Sequence, residues 1–327
     1  MRRGWRERLL GNLARLDGAD GNSSEELCAL IHPFGMKDRV ALNSILAAKE
    51  NGELKDDGII IESSSGTLAI GLALVGRTLR HEVHIVLDPR VDALTLAKLR
   101  TLGAIVHMVE QMTEGGWQGT RRQKVLQLME EHPGAFWPRQ FTSIQNPLSY
   151  TQLAKELLED VNHIDALVGP VGSGGSLCGS ARFLRKFLPD LLVVGVDAVG
   201  SITFDQPDLK NRLQSGLGNS IISENVDKTL IDQVHWLNDE EAFNATLQLA
   251  ASEQIFAGNS SGSAYLVACW LSTQMPLEST IAVIFPDRGD RYFRTIYNPD
   301  YWRDHNLTRR CISPDPKEVP YGTIVKE

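Results

Sequence analysis

Helix-like and strand-like hydrophobic patterns take turns along this chain. Residues 38–52, within "MKDRVALNSILAAKENGEL", are a run of good helix formers that stops near Gly52. "GIIIE" at 58–62 is a continuous apolar run ending in a carboxylate, and reads as a buried strand. Residues 67–80 place apolar side chains at helical spacing, and "EVHIVLD" at 82–88 is the next strand. "VDALTLAKLRTLG" at 91–103 is a helix closed by glycine, followed by the strand "AIVHMVE" at 104–110. A helix over 118–131 leads to "AFWPRQFTSIQNP", a strand and loop, and then to a helix over 148–160. The strand "IDALVGPV" at 164–171, a helix over 177–187 and the strand "LLVVGVDA" at 191–198 continue the alternation. Residues 200–227 are irregular. Helices over 239–254 and 261–274, the strand "TIAVIFPD" at 280–287 and a last helix from about residue 290 complete the pattern. The basic N-terminal stretch "MRRGWRERLLGNLARL" is expected to form a surface helix.

Repeated strand–turn–helix units with continuously apolar strands predict an α/β fold, its parallel sheets covered by helices. Crossovers of this kind are right-handed. A chain of 327 residues, 42% hydrophobic and 23% charged, has room for two such layers with a cleft between them. A formal charge of −8 leaves no basic footprint for nucleic acid. No apolar run is long enough to cross a membrane, and the N-terminus lacks the apolar segment and cleavage site of a secretory signal. The four cysteines are far apart, with neither C-x-x-C pairs nor histidines at ligand spacing. No disulfide framework or metal site is expected, and a reducing cytoplasm fits.

The chemistry begins with "HPFGMKDRVALN" at 32–43, which sets Lys37 at the start of a helix. The positive end of the helix dipole favours acidic side chains there, as Asp38 is, and disfavours an ammonium. A lysine in that position is either solvated at a frayed end or kept neutral to attack a carbonyl. Three small-residue loops bear on the choice. In "VGPVGSGGSLCGS" a buried strand runs into Gly172, Ser173, Gly174, Gly175 and Ser176 and opens a helix, an arrangement suited to phosphate. No Lys-Ser/Thr follows, so it is not a P-loop. In "IIIESSSGTLAIGLA", Ser64, Ser65, Gly66 and Thr67 offer hydroxyl and N–H groups to a carboxylate. In "FAGNSSGSAYL" either Ser260 or Ser261 caps a helix or reaches into a site. Asp287, Arg288, Asp290 and Arg291 in "FPDRGDRYF" are expected to pair with one another at the surface. One lysine, a phosphate cradle and a carboxylate cradle, with no histidine base and no metal, describe a pyridoxal phosphate site.

These segments resemble, in order from about residue 33 to 300, the cysteine synthase family of fold-type II pyridoxal phosphate enzymes. "MKDRVALNSILAAKENGEL" resembles the family's lysine segment, "ESSSGTLAIGLA" its substrate loop, "RQFTSIQNP" the loop whose glutamine is Gln140 here, "VGSGGSLCG" its phosphate loop, and "GNSSGSA" the segment whose first serine is Ser260 here. The resemblance implies two three-layer domains with the cofactor in the cleft: a smaller mobile one over 42–146, and a larger one from 1–41 plus 147–327. It implies that Lys37 carries the Schiff base, that residues 172–176 hold the phosphate, and that Ser260 bonds the pyridine nitrogen. Ser64, Ser65, Gly66, Thr67 and Gln140 would bind the substrate carboxylate. It also implies a homodimer acting on small amino acids. Thr67 stands where the family has an asparagine that contacts the cofactor's phenolic oxygen. Gly35 stands where it has a serine, and the N-terminus lacks the usual Asn-Thr-Pro-Leu landmark.

The implied reaction is β-replacement on an O-activated L-serine, O-acetyl or O-phospho, through an aminoacrylate, with sulfide or an amino-acid amine as nucleophile. "EGGW", "GVDAVGSITF" and "FPDRGDRY" look most like the branch that joins phosphoserine to an amino acid on the way to 2,3-diaminopropionate. A lyase that stops at elimination, such as a cysteine desulfhydrase, and a non-catalytic relative are the alternatives.

Overall fold

The computed structural model describes residues 12–16, 26–31, 35–114, 116–161, 163–312 and 324–325. In chain order the strands and helices are β1 (Asn12–Leu16), β2 (Glu26–Ile31), α1 (Lys37–Glu50), β3 (Ile59–Ser63), α2 (Thr67–Thr78), β4 (Glu82–Leu87), α3 (Ala93–Thr101), β5 (Ile105–Met108), α4 (Gly116–Glu131), α5 (Gln145–Leu148), α6 (Thr151–Asp160) and β6 (Ala166–Pro170). They continue with α7 (Gly175–Leu184), β7 (Leu192–Ala198), β8 (Gln233–Leu237), α8 (Asp239–Glu253), α9 (Asn259–Ser272), β9 (Thr280–Ile284), α10 (Pro299–Asp304) and β10 (Ile324–Val325).

Two sheets result. The larger has the order β1-β2-β9-β6-β7-β8-β10, and the smaller β3-β4-β5. All pairings are parallel except the two outermost in the larger sheet, β1 with β2 and β10 with β8. β6 is apolar or small throughout and fully buried, as a central parallel strand covered on both faces must be. One core runs from α1 and α2 through α7 and α9 to β6, β7 and β9, and a smaller cluster of Ile61, Val86, Val109, Val125 and Leu128 lies under α4.

The expected elements are present with shifted ends. α7 begins at Gly175, so the glycine loop is itself the first turn of the helix. The expected helix over 148–160 is two pieces, α5 and α6. The expected strand in "AFWPRQF" is a single parallel bridge from Phe136 to Ile60. The last helix is a 3-10 turn over Gly289–Tyr292, then α10. β8 went unread within a polar stretch. Residues 12–16 form β1 and not the expected helix; the rest of that stretch, 1–11, lies outside the described residues. "NLARL" alternates in period two, and pairing with β2 satisfies it as a strand. Among the described residues no helix is long and apolar enough to cross a membrane.

Candidate active site

Three loops leave the carboxyl ends of parallel strands and meet one cavity, where ligands of parallel sheets bind. β3 runs into Ser64–Thr67, β6 into Gly172–Gly175, and β9 into Pro286–Arg291. The cavity encloses about 130 Å³, with Lys37, Thr67, Gln140, Ser173, Ser260 and Asp287 on its wall.

Lys37 is the first residue of α1, and no side chain caps that helix. Met36 N donates to Pro286 O at 3.0 Å, tying the helix start to the loop after β9. The Lys37 amine is held below the ordinary lysine value, first by loss of hydration; Asp287 opposes this, Arg291 adds to it and Glu62 opposes it. Its side chain stands on the wall of the cavity.

The loop after β6 presents a row of unsatisfied donors. The N–H groups of residues 172–177 find no acceptor within the described residues, and the helical ladder begins with Cys178 N donating to Gly174 O at 3.0 Å. Asn219 Nδ2 donates to Gly172 O at 2.7 Å, Ser223 Oγ to Ser173 O at 2.8 Å, and Asn146 Nδ2 to Ser173 Oγ at 2.9 Å. Gly172 and Ser173 line the cavity, whereas Gly174, Gly175 and Ser176 form the turn behind them. The glycines also answer a need for close packing in a tight strand-to-helix turn. Gly174 has φ +81°, and a Cβ at Gly175 would lie 2.0 Å from Asn146 Oδ1. A Cβ at Gly172 would lie 2.4 Å from Gly216 O. These glycines let the chain approach itself, and the unsatisfied N–H row is what fits a phosphate.

The loop after β3 is a second such end. Gly66 precedes α2 without a side-chain cap, and the N–H groups of Ser65, Thr67 and Leu68 take no acceptor within the described residues. Ser65 Oγ accepts from Arg121 Nη1 at 2.7 Å, and Ser64 Oγ from Gly66 N at 3.4 Å. Gln140 Nε2 donates to Ser63 O at 2.9 Å, which sets Gln140 against this loop. Beneath it Glu62 accepts from Ser63 N at 2.7 Å, Trp137 Nε1 at 3.1 Å and Gln140 N at 3.2 Å. Burial raises the Glu62 carboxyl to about 7 despite these bonds.

Ser260 and Ser261 sit in the first turn of α9, and Ser260 is the one on the cavity wall. The charged turn after β9 corrects the expected surface cluster. Arg288 and Asp290 do pair in the open at 3.1 Å. Asp287 and Arg291, four residues apart, turn inward: Tyr292 Oη donates to Asp287 Oδ2 at 2.9 Å, and Arg291 Nη1 lies 3.6 Å from the same oxygen. Burial pushes the Asp287 carboxyl up, and Arg291 opposes it.

Sequence reasoning missed Glu62, Arg121, Asn146 and Asn219. Glu62 carried a signal as a carboxylate closing an apolar strand, and Asn146 and Asn219 lie inside "RQFTSIQNP" and "GLGNS", segments that share the family's order though neither residue was singled out. Arg121 lies on a helix face, where nothing local marks it.

Residues 30–287 match the family described as pyridoxal-phosphate dependent enzyme. The chain is 35% identical over 318 residues to N-(2-amino-2-carboxyethyl)-L-glutamate synthase of Cupriavidus metallidurans, covering 93% of this chain and 92% of that one. Its fold is similar to the O-acetylserine-dependent cystathionine beta-synthase of Helicobacter pylori, with a TM-score of 0.82 at 27% identity, over 91% of this chain and 99% of that one. It is also similar to a hydrogen sulfide-producing enzyme of Fusobacterium nucleatum, with a TM-score of 0.83 at 25% identity, over 89% of this chain and all of that one. A lysine at the wall of a cavity between two uncapped helix ends, carried on this fold and matched over this span, accords with the family match, and the chain is a member of the pyridoxal-phosphate dependent enzyme family.

Proposed function

We propose that this enzyme catalyses β-replacement on an O-activated L-serine, adding sulfide or an amino-acid amine. The observation that carries the reading is the meeting of Lys37 with two uncapped, unsatisfied helix ends at one cavity. The synthase relatives support the reaction type.

In this reading residues 172–176 hold the cofactor phosphate through the N–H groups of the α7 end, Ser260 meets the pyridine nitrogen, and Thr67 reaches the phenolic oxygen. Pyridoxal phosphate, when bound, supplies an aldehyde that condenses with amines and a ring that withdraws electrons from the substrate Cα. Ser64, Ser65, Gly66 and Thr67, with Gln140, hold the substrate α-carboxylate by charge-assisted bonds to the N–H groups at the start of α2. Lys37 takes the α-proton and later returns it. Desolvation keeps its amine able to accept that proton, and Asp287 stabilises the ammonium that results. Arg291, bonded to Ser65 O at 3.3 Å, ties the carboxylate loop to the turn behind Lys37.

Residues 42–146 are proposed as the unit that closes over the substrate, a reading supported by their separate sheet β3-β4-β5. A homodimer is supported by the exposed Ile144, Leu148 and Ile222. A reducing cytoplasm agrees with Cys178 and Cys311, neither of which is in a disulfide among the described residues.

The test is Lys37→Ala. Purified protein should show a visible cofactor absorption band that the variant lacks, and the variant should lose β-replacement. Full turnover by the variant would overturn the assignment. With O-acetylserine or O-phosphoserine, added sulfide or glutamate should divert product away from pyruvate. Pyruvate forming at one rate with or without nucleophile would mean elimination alone.

A further inference from the structure

The Asp287 carboxylate is held through one oxygen. Its Oδ2 accepts from Tyr292 Oη at 2.9 Å and lies 3.6 Å from Arg291 Nη1. Its Oδ1 is buried and has no hydrogen-bond partner among the described residues. Gly258 makes room for the pair: a Cβ there would lie 2.3 Å from Asp287 Oδ1 and 2.5 Å from Tyr292 Cε2. A buried carboxylate oxygen without a donor is costly, and its retention calls for a donor that arrives during function. Lys37 shares the inner cavity wall with Asp287.

The hydrogen-bonded row continues behind Tyr292. The tyrosine Oη lies 3.1 Å from Ser215 Oγ. Asn259 clamps Ser215, its Nδ2 donating to Ser215 O at 2.9 Å and its Oδ1 accepting from Ser215 N at 3.3 Å. Ser215 Oγ is 3.5 Å from that same Oδ1. Each hydroxyl carries one proton, so the row has two possible directions. With Asp287 ionised, Tyr292 donates to it and Ser215 donates to Tyr292. With Asp287 protonated on Oδ2, the carboxyl donates to Tyr292, Tyr292 to Ser215, and Ser215 turns to Asn259 across the longest gap. Only the first direction contains a charge-assisted bond, the stronger kind. The charged groups around the carboxylate are Arg291 on the same turn, Lys37 on α1 and Asp92 before α3, with Glu62 on β3 acting on Lys37. Burial pushes the Asp287 carboxyl up; Arg291, the Tyr292 bond and Lys37 oppose this, and Asp92 adds to it.

We propose that Tyr292 is a positioning residue of the reaction: backed by Ser215, it fixes Asp287 as an anion with its free oxygen kept for Lys37. The proposal rests on the reading above in which Lys37 carries the α-proton. When the substrate Cα–H bond breaks, the proton goes to Lys37 Nζ and the electron pair stays on Cα. The new ammonium then meets a carboxylate already in place, which need not reorganise. Tyr292 touches none of the reacting atoms and acts through Asp287.

The test is Tyr292→Phe in the holoenzyme, with consumption of O-acetylserine followed as a function of pH, a readout common to replacement and elimination. Loss of the donated bond makes Asp287 easier to protonate, so the acid limb of kcat should move up by about one pH unit. The variant's kcat should therefore fall about tenfold on that limb and stay within about twofold on the plateau. Donor KM should stay within about twofold. Asp287→Asn should abolish the limb and lower kcat, and adding Tyr292→Phe to it should cost nothing further. In the cofactor-free full chain, the pH midpoint for acetic anhydride labelling of Lys37, read by mass spectrometry, should fall in Asp287→Asn and, by less, in Tyr292→Phe. Ser215→Ala should move the limb and the midpoint in the same directions by smaller amounts, and carries the test if the phenylalanine variant does not fold. An equal loss at every pH would overturn the proposal, as would an additive loss on the Asp287→Asn background or an unmoved labelling midpoint. If Lys37→Ala is inert while the Tyr292→Phe profile matches that of the unaltered enzyme, this proposal alone falls. If Lys37→Ala turns over freely, the Lys37 reading falls with it.

Discussion

Gly35 and Thr67 occupy one space. A Cβ built at position 35 would lie 2.9 Å from both Cβ and Cγ2 of Thr67. The threonine methyl thus fills the volume into which a side chain at position 35 would project. The sequence displays two departures from the resembled pattern, thirty-two positions apart, and says nothing of their contact. In three dimensions they are one exchange. Gly35→Ser alone should therefore destabilise the protein by about 1–3 kcal/mol, the usual cost of overpacking. Thr67→Asn removes the methyl and should recover part of that loss, with a coupling of about 0.5–3 kcal/mol in a double-mutant cycle of thermal unfolding. Strictly additive losses would mean that the two positions do not compete. Residues legible in the sequence were those with a chemistry of their own, such as Lys37, or a place in a small-residue stretch that opens a helix, such as Ser173 and Ser260. Arg121 and Asn146 act through partners on other elements, and their identity is set by geometry alone.

At the level of elements, α7 shows why alternation is easy to read and helix ends are not. Helix formers and apolar spacing mark its body, but its start is fixed by Gly174 in the left-handed region and by the contact of Gly175 with Asn146. Asn146 also donates to Gln140 O at 2.7 Å and to Ser173 Oγ at 2.9 Å, so the glycine turn after β6 and the segment carrying Gln140 lean on one amide. Gly175→Ala should displace that amide. The expected result is a loss of about 1–3 kcal/mol in stability together with weaker cofactor retention on dialysis. Substrate KM should rise as well, because Gln140 shifts with its neighbour. Cofactor loss with an unaltered KM would show that the two loops are independent. β1 escaped the sequence reading because a basic, leucine-containing stretch favours a helix locally, and only its pairing with β2 makes it a strand. β8 was lost in the same way within a polar segment, although β7 on one side and β10 on the other give it a clear place in the sheet.

Across the whole molecule the alternating pattern gave away both parallel sheets but not the cleft wiring. Ser220 N donates to Gln118 Oε1 at 3.0 Å and Ser223 Oγ to Phe141 O at 3.0 Å, joining the irregular segment after β7 to α4 and to the loop before α5. No periodicity encodes such bonds, because they link unrelated loops. Burial also gives the molecule a collective response to pH. Asp38, Glu62 and Asp197 are each raised to about 7 by desolvation. Unfolded, they would lose their protons near pH 4. Between about pH 4 and 7 the folded chain therefore holds more protons than the unfolded one, and these groups make stability fall as pH rises through that window. His235, lowered to about 4 by burial, acts in the opposite sense below about pH 6.5. Asp38→Asn should accordingly raise the unfolding midpoint by several degrees at pH 8 and by much less at pH 5. An equal gain at both would remove Asp38 from the account. The hydrogen bond from Trp137 Nε1 to Glu62 gives one of these titrations an optical voice. An indole facing a carboxyl that is half ionised near neutrality changes its emission as the proton comes and goes. A second carboxylate settling on the loop above would hold that proton longer, so the midpoint of the colour change would drift upward, and the protein would announce an occupied site before any bond is made or broken.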